Sequence, residues 1–327
     1  MKKLFLLLSI SLLAVGVTTA QDQTFFSHYQ VAPIIANPAF AGFNLESQIL
    51  FNARAQWTGF PDAPQSIGAQ FHTNLGESFG IGVAAFSESA ARLTRSEAKL
   101  NFAFRIPLSD FNKNTLSIGL STAFQQQSIG SNTLFENFYQ LGDNIIEGAA
   151  GGRNVFDASF GVFGRFFLTS NDQEYLFAGL TLTNLVEARL DDISNNQQTP
   201  MEQGFLQHYL FMTGYRFIPG GDVNTFYIEP SLMLRQIPNA PFQADINIRA
   251  GFGGDVLVAG LSYRSTDAIG VLLGTDFGNV SNNNNQNSGL KLFYTFDLST
   301  QEFQSYNSGS HEITLAFGFG GNSRNGL

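Results

Sequence analysis

The sequence predicts an all-β protein, a transmembrane antiparallel β-barrel of about 14 strands that follows a cleaved signal peptide. Three observations lead to this prediction. Apolar residues alternate with polar or small ones in stretch after stretch, charged residues make up only 13% of the chain, and the first twenty residues have the layout of an export signal. Soluble domains carry about 25% charged residues. The low charge content, together with 34 Phe and 33 Gly, is typical of an aromatic wall around small residues.

The alternation is clearest at residues 98–106. One face carries Ala98, Leu100, Phe102, Phe104 and Ile106, and the other carries Lys99, Asn101, Ala103 and Arg105. A period of two places each set on one side of a sheet. The pattern recurs at 116–124 and 242–250. Because ions share a face with Gly, Ser and Ala, the pattern indicates a lipid-facing wall around a polar lumen.

The first twenty residues predict a secretory signal peptide at 1–20. Lys2 and Lys3 form a charged start, an apolar stretch follows at 4–17, and the small residues at 18–20 suit cleavage. A short membrane anchor is the alternative, but the stretch is shorter than the ~20 apolar residues of a spanning helix. The chain has no Cys, which excludes disulfides, thiolate metal sites and a lipid-anchor cysteine. We therefore expect a bacterial outer-membrane location.

Residues 21–45 precede the first predicted strand and are too aromatic for a disordered leader. We expect this N-terminal segment to fold back as a plug, or to serve as a periplasmic docking segment. A packed entry turn into the first strand is the alternative. The barrel is predicted to cover 46–319, and residues 320–327 form a C-terminal tail.

Turn signals divide the wall into strands, most of them close to the 9–11 residues that a tilted membrane strand needs. They are predicted at 46–57, 65–75, 79–88, 95–107, 115–126, 155–168, 174–183, 207–217, 225–235, 243–252, 255–264, 270–277, 289–297 and 311–319. If the mature chain starts in the periplasm, the connections after odd-numbered strands face outward. These include the long stretches 127–154, 184–206 and 298–310, as expected for outer loops. The Asn-rich stretch 278–288 breaks this rule and is predicted to be a polar loop.

The predicted register places more bases than acids in the lumen, although the net charge of the chain is -9. The acids are expected to concentrate in loops. Two interpretations remain open: lumen charges pair and brace the barrel, or they line a path for an anionic substrate. The candidate lumen charges are Arg54, Arg105, Arg235, Asp245, Arg249 and Arg264, and the same face carries Lys99, Arg165, Arg216, Glu229, Lys291, Asp297 and Glu312.

We find no catalytic, cofactor-binding or metal-binding motif. His311 and Glu312 lack the second His that a helical zinc motif requires. His72 and His208 fall on inward faces, which leaves an outer-membrane hydrolase open, although a hydrogen-bonding role in the lumen is the plainer interpretation. The net charge of -9, without a basic cluster, argues against a nucleic-acid partner.

Five groups of residues occur in an order typical of one family. They are QD at 21–22 with FSHY at 26–29 and NPAFAG at 37–42; RAQWTGF at 54–60 with APQS at 63–66; YR at 263–264 with DAI at 267–269; YTFD at 294–297; and YNSGSHEI at 306–313. Together they resemble the PorP/SprF family of Bacteroidota outer-membrane proteins, and the last group is the most specific. Gln23 stands where the family commonly has Pro, and the tail at 320–327 follows the last strand.

The resemblance implies an outer-membrane component of the type IX secretion system. Such a barrel aids secretion or surface attachment of a specific partner protein, such as a gliding adhesin. The implied partners are that secreted or surface-displayed protein, other type IX secretion components and membrane lipid, and no catalytic residues are implied. The alternative is an outer-membrane transporter or porin for small molecules. A transporter for hydrophobic small molecules predicts an apolar lumen. A porin predicts an open constriction lined by acids and bases, with ion conductance.

First and last strands pair when a barrel closes, so the connections beside them are expected to form adjacent surfaces at the outer rim. The candidate partner-docking residues at this rim are Trp57, Phe60, Pro64, Tyr306 and His311. Trp57 is predicted to face outward near a strand end, where an indole suits a membrane interface. Barrel closure without docking is the alternative role of these residues.

Overall fold

The computed structural model shows a closed antiparallel barrel of fourteen strands, in which β1 pairs with β14 and every other pair joins consecutive strands. The fold class predicted from the sequence is confirmed. The structure describes residues 29, 31–91, 93–108, 114–129, 153–168, 174–186, 208–222, 225–237, 240–280, 289–301 and 306–319. The strands are β1 (Ser47–Ala55), β2 (Gln65–Leu75), β3 (Phe79–Ala90), β4 (Leu93–Pro107), β5 (Thr115–Ile129), β6 (Arg153–Phe167), β7 (Tyr175–Thr183), β8 (His208–Arg216), β9 (Phe226–Gln236), β10 (Gln243–Phe252), β11 (Leu257–Arg264), β12 (Ala268–Asp276), β13 (Gly289–Ser299) and β14 (Ser310–Phe319).

The end of β1 differs from its prediction. The strand stops at Ala55 rather than at residue 57. The Gln56 amide donates to the Pro64 carbonyl at 2.9 Å, and Trp57 adopts a left-handed backbone with φ +46. This conformation turns the chain out of the ladder. Trp57 therefore lies in the β1–β2 connection and not on the strand, where the sequence analysis placed it.

Several predicted segments lie outside the described residues. They are the signal peptide at 1–20, the tail at 320–327 and the greater part of the connections predicted at 127–154, 184–206 and 278–288. Residues 277–280 of the last connection form a short helix, Phe277–Val280. No helix within the described part of the chain is long and apolar enough to cross a membrane.

The two faces of the wall have the opposite exposure from those of a soluble protein. Outward apolar side chains are open, as at Ile67, Leu120 and Leu261, which are 60–62% exposed. Inward polar side chains are closed, as at Asn52 and Gln70, which are both 3% exposed. This confirms the lipid-facing wall and polar lumen that the period-two alternation predicted.

The apolar core lies inside the barrel, where the N-terminal segment meets the wall. The described residues of this segment, Tyr29 and 31–46, include two 3-10 turns, Pro33–Ile35 and Pro38–Phe40, and the second packs on β4, β5 and β6. We call these residues the lumen segment. The core contains Tyr29, Ile34, Ala36, Ala39, Phe40, Ala41 and Phe43 from the segment, and Ala103, Phe163, Leu210, Met212 and Met233 from the wall.

Two glycines let the lumen segment approach the wall closely. A Cβ at Gly119 of β5 would overlap the backbone of Ala39, and one at Gly161 of β6 would overlap the side chain of Asn37. The side-chain amide of Asn37 donates through Nδ2 to the Val162 carbonyl at 2.9 Å, and its Oδ1 accepts from the backbone amide of Ala39 at 2.9 Å. Small residues on two neighbouring strands thus form the cradle that fixes the segment in the lumen.

Candidate functional site in the lumen and at its rim

The connections beside β1 and β14 form one hydrogen-bonded surface. The Trp57 amide donates to Ser310 Oγ at 3.0 Å. The Thr58 amide donates to the Gly309 carbonyl at 2.8 Å, and the Ser308 amide donates to the Thr58 carbonyl at 2.7 Å. These bonds continue the β1–β14 ladder past its last pair, Ala55 with His311. We call residues 56–64 and 306–309 the paired rim, and the end of the barrel that carries it the β1–β2 end.

The candidate docking residues all lie at this end, in different surroundings. Phe60 and Tyr306 are open, at 49% and 74% exposure, whereas Trp57 and Pro64 are half-buried. His311 begins the outward face of β14, where its Nδ1 lies 2.7 Å from the hydroxyl of Tyr294. The expected adjacency of the two connections therefore holds, and the aromatic rings that reach solvent are those of Phe60 and Tyr306.

Arg54, Arg235, Asp245 and Arg264, four of the candidate lumen charges, belong to one buried network. Arg54 donates through Nη1 to Glu312 at 2.9 Å and through Nη2 to Asp297 at 2.8 Å. The remaining contacts are Arg264 to Asp245 at 3.5 Å and to Asp297 at 4.0 Å, Gln243 to Asp245 at 2.9 Å, and Arg235 to Gln243 at 2.7 Å. This seam network joins β10, β11, β13, β14 and β1 through paired charges, and Gln243 connects Arg235 of β9 to it.

Arg249 lies in a second cluster, at the opposite end of the barrel, which we call the β2–β3 end. It shares Glu229 with Arg216, at 2.5 and 2.7 Å. The Arg216 guanidinium lies 4.1 Å from the ring centroid of Tyr227 and 5.1 Å from that of Tyr175. Aromatic faces attract cations, so the cluster combines an ion pair with cation–π contacts.

Arg165 links this cluster to the lumen segment. Its guanidinium lies 4.8 Å from the Tyr175 ring and 5.0 Å from the Phe43 ring, and it donates to Asn44 Oδ1 at 3.0 Å. Arg105, another candidate lumen charge, donates instead to the Glu77 carbonyl and to Thr115 Oγ1. Of the six candidate charges, four therefore belong to the seam network, Arg249 belongs to the second cluster, and Arg105 belongs to neither.

The sequence analysis missed several lumen acids, and Glu97 and Asp157 are two of them. Glu97 of β4 bonds Lys99 at 2.6 Å and Gln125 at 2.8 Å. Asp157 of β6 accepts backbone amides of Asn184 at 3.0 Å and Val186 at 3.3 Å. The expectation that acids concentrate in loops is wrong for these two. The signal was present, because Glu97 shares the period-two face of Lys99 on β4.

The two inward histidines have structural partners. His72 accepts the Gly42 amide of the lumen segment at Nδ1, 3.4 Å away, and its Nε2 lies 3.2 Å from Gln48 Oε1. His208 Nε2 lies 3.3 Å from Nδ2 of the Asn184 side chain. Among the described residues, no group of three or more acidic or histidine side chains is arranged to hold a metal ion.

Comparison with known proteins gives one family and a set of barrels. The model of the type IX secretion system membrane protein PorP/SprF matches residues 18–317. No curated protein matches the chain. Among solved structures, the TodX deltaS2S3 mutant monoaromatic hydrocarbon channel has a TM-score of 0.53 and 11% identity, covering 88% of this chain and 93% of that chain.

Two further barrels are more distant. A Pseudomonas aeruginosa FadL homologue has a TM-score of 0.48 and 9% identity, covering 86% of this chain and 92% of that chain. A KdgM porin has a TM-score of 0.42 and 7% identity, covering 84% and 98%. Of these likenesses, that to the hydrocarbon channel supports the barrel fold, and at such identity it supports the fold alone.

Proposed function

The chain belongs to the PorP/SprF family of type IX secretion system membrane proteins, and we propose that it aids secretion or surface attachment of one specific partner protein. It is a membrane protein with the fold of outer-membrane barrels, from a family of secretion components rather than enzymes. The partner we propose is a secreted or surface-displayed protein such as a gliding adhesin. The barrel contributes by binding it at the paired rim.

The exposed aromatic pair on the paired rim is the observation that carries this proposal. Phe60 and Tyr306 are 49% and 74% exposed. The backbone beneath them is fixed by bonds between Thr58, Ser308 and Gly309. Aromatic side chains dominate binding energy at protein interfaces. A surface that is ordered before binding loses less conformational entropy when the partner arrives.

The occupied lumen supports binding rather than conduction. Phe40, Phe43 and Ala39 of the lumen segment pack into the core against Phe163. We propose that this segment is a plug, so that the barrel does not act as a general porin. In this arrangement the β2–β3 end faces the periplasm and meets other type IX secretion components, and the β1–β2 end faces outward.

Deletion of the gene, followed by mass spectrometry of surface and secreted proteins, tests the proposal. We expect the loss of one or a few surface proteins with the rest of the secretome unchanged. An unchanged secretome contradicts the proposal and favours the transporter or porin alternative. The identity of the lost protein names the partner.

The rim is tested by combining Phe60→Ala with Tyr306→Ala in the same organism. We expect the partner to fall several-fold at the surface, because truncating interface anchors costs more than ~1 kcal/mol each. Leu108→Ala is the matched control, since Leu108 is 50% exposed in the β4–β5 connection, at the other end of the barrel. Equal partner levels in both variants, at equal barrel levels, would exclude docking at the paired rim.

A further inference from the structure

A cavity lined mainly by polar residues lies in the lumen at the β1–β2 end, beside the lumen segment. Its floor is formed by Ile35 and Ala36 of that segment. Its wall comes from strands β2 to β9 and includes Arg95, Glu97, Lys99, Asp157, Thr183 and Arg235. We call this cavity the vestibule. It is separate from the exposed aromatic pair, and neither the family nor the proposed docking role gives it a ligand.

Two bases of the vestibule, Arg95 and Lys99, are partly exposed, unlike Arg54 of the seam network. The side chains of Arg95 and Lys99 are 20% and 21% exposed, whereas that of Arg54 is 1% exposed. Both bases contact Glu97, whose side chain is 3% exposed, at 3.5 and 2.6 Å. One buried carboxylate therefore serves two cations, and a Lys ammonium alone has three donor hydrogens.

The acids of the vestibule are engaged by the protein itself. The Asp157 oxygens accept the backbone amides of Asn184 and Val186. Glu97 accepts from Gln125 at 2.8 Å in addition to its two bases. Glu88 lies directly opposite Arg95 in the β3–β4 register. Ser66 Oγ, on the same wall, is buried and has no hydrogen-bond partner in the described part of the chain. The donors left for a ligand are therefore those of Arg95 and Lys99, which share the single carboxylate of Glu97.

We propose that the vestibule binds a carboxylate-bearing peptide segment. Arg95 and Lys99 take the carboxylate, because charge-assisted bonds from these side chains to carboxylates are strong. Ile35, Phe86 and Leu210 take the apolar neighbours of the carboxylate. The carboxylate comes either from an acidic side chain or from a chain terminus. The inference deepens the proposed function, on which it rests, since the vestibule lies at the end of the barrel that carries the paired rim.

The first measurement uses the absence of Cys from the chain. Thr183→Cys places a single thiol in the vestibule, and Thr300→Cys places one in the exposed β13–β14 connection at the same end. Each purified barrel reacts with methanethiosulfonates that carry either a sulfonate or a trimethylammonium group. We expect the anionic reagent to be favoured at Thr183→Cys over Thr300→Cys by about 10-fold at low salt. Equal preference at both sites would overturn the inference.

The second measurement uses peptides as probes of the Thr183→Cys thiol. Acetyl-Leu-Asp-Leu-amide should slow its labelling if a side-chain carboxylate is accepted, and acetyl-Leu-Asn-Leu with a free carboxyl end should slow it if a terminus is accepted. Acetyl-Leu-Asn-Leu-amide should not protect. Protection by either charged peptide supports the inference, and the pattern names the source. Trigalacturonate carries carboxylates on a sugar chain and serves as the non-peptide probe. Protection by none of the peptides, or stronger protection by trigalacturonate, overturns the inference.

Variants of Lys99 test whether this side chain binds the carboxylate, and a second variant controls for an effect on folding. We expect Lys99→Gln to reduce both the anion preference and the peptide protection several-fold. Because Lys99→Gln leaves Glu97 with fewer partners, Lys99→Gln combined with Glu97→Gln provides a second variant without an uncompensated buried charge. Unchanged preference and protection in a folded variant, judged by its heat-dependent migration in gels, would also overturn the inference.

The inference and the proposed function fail in different measurements. If the deletion changes the secretome but no charged peptide protects the thiol, the partner docks without entering the vestibule. If charged peptides protect the thiol but the secretome is unchanged, the vestibule binds a carboxylate that does not belong to an exported partner. The second outcome contradicts the proposed function and, with it, the inferred role of the peptide.

Discussion

At the scale of single residues, Arg54 links the two strands that close the barrel. It lies on β1 directly opposite Glu312 of β14 and also reaches Asp297 of β13. All three side chains are at most 3% exposed. A buried ion pair contributes little relative to an apolar replacement, but removing one partner leaves an uncompensated buried charge. The main contribution of Arg54 to stability is therefore that it compensates the charges of Asp297 and Glu312, which would stay buried if Arg54 were removed.

We expect Arg54→Ala to lower the free energy of unfolding by about 3–5 kcal/mol, because the buried acids Asp297 and Glu312 would each lose a charged hydrogen-bond partner. Urea titration of the barrel in lipid vesicles measures the change. Lys291→Ala is the matched control. Its ion pair with Asp276 also lies on the lumen face, but the Lys291 side chain is 35% exposed. Exposed pairs contribute about 0–1 kcal/mol.

A charge-neutral variant separates burial from packing at the same position. Arg54→Met combined with Asp297→Asn and Glu312→Gln removes all three charges and keeps the side-chain volumes similar. We expect this variant to lose less stability than Arg54→Ala, since no buried charge is left without a partner. A loss as large as that of Arg54→Ala would mean that the network stabilises closure through its attraction, against the argument above.

At the scale of elements, the lumen segment and the two strands that cradle it act as one unit. The Asn37 side chain bonds the Val162 carbonyl of β6, and the Gly42 amide bonds His72 of β2. Arg165 stacks on Phe43 near the β2–β3 end. These contacts fix the segment at several positions along the barrel axis. They form only because the segment lies close to the wall.

We expect Gly119→Ala to displace the segment, because its Cβ would overlap the backbone of Ala39. Overpacking of this kind costs about 1–3 kcal/mol. The measurement is single-channel conductance in planar bilayers, which should be low for the native barrel and larger for the variant. Gly220→Ala serves as the control, since a Cβ there meets no atom within 4 Å.

Two outcomes of the conductance measurement contradict the plug. A native barrel that already conducts strongly would favour the porin alternative over binding. A Gly119→Ala barrel with native conductance and native stability would show that the segment tolerates the extra methyl group. In that case the cradle would not be what keeps the lumen closed.

The elements were easier to predict than their contents. Turn signals between alternating stretches placed β2 and β10 at their observed bounds, 65–75 and 243–252, because both signals are local properties of the chain. The end of β1 was missed because it depends on a bond from Gln56 to Pro64 and on the left-handed backbone of Trp57. Such non-local contacts leave no periodic signal.

The candidate site was predictable in its faces but not in its groupings. Alternation placed Arg54 and Arg249 inward, yet it could not assign them to opposite ends of the lumen or name Asp297 and Glu229 as their partners. Cross-strand partners depend on the register of a closed barrel, which a single strand does not encode. The same limit applies to the lumen segment, whose fit requires Gly119 and Gly161 together.

At the scale of the whole molecule, the barrel is stable only where its outer face meets an apolar solvent. Leu261 lies in the middle of β11, is 62% exposed, and is flanked by Ile248 and Val271, which are 52% and 45% exposed. Hydrocarbon lipid satisfies such a surface, whereas the lumen face pairs its own polar groups. The two faces therefore predict opposite responses to an introduced charge.

We expect Leu261→Arg to lower the free energy of unfolding from lipid vesicles by about 2–4 kcal/mol, which is the cost of an Arg near the bilayer midplane. Leu108→Arg is the matched control, because Leu108 is also an open leucine, 50% exposed, but follows the end of β4 in a connection. Near the interface the same change costs about 0–1 kcal/mol. Urea-driven unfolding from the vesicles compares the two variants directly. Equal losses would place both residues at the same depth and contradict an apolar band that is centred on the strands.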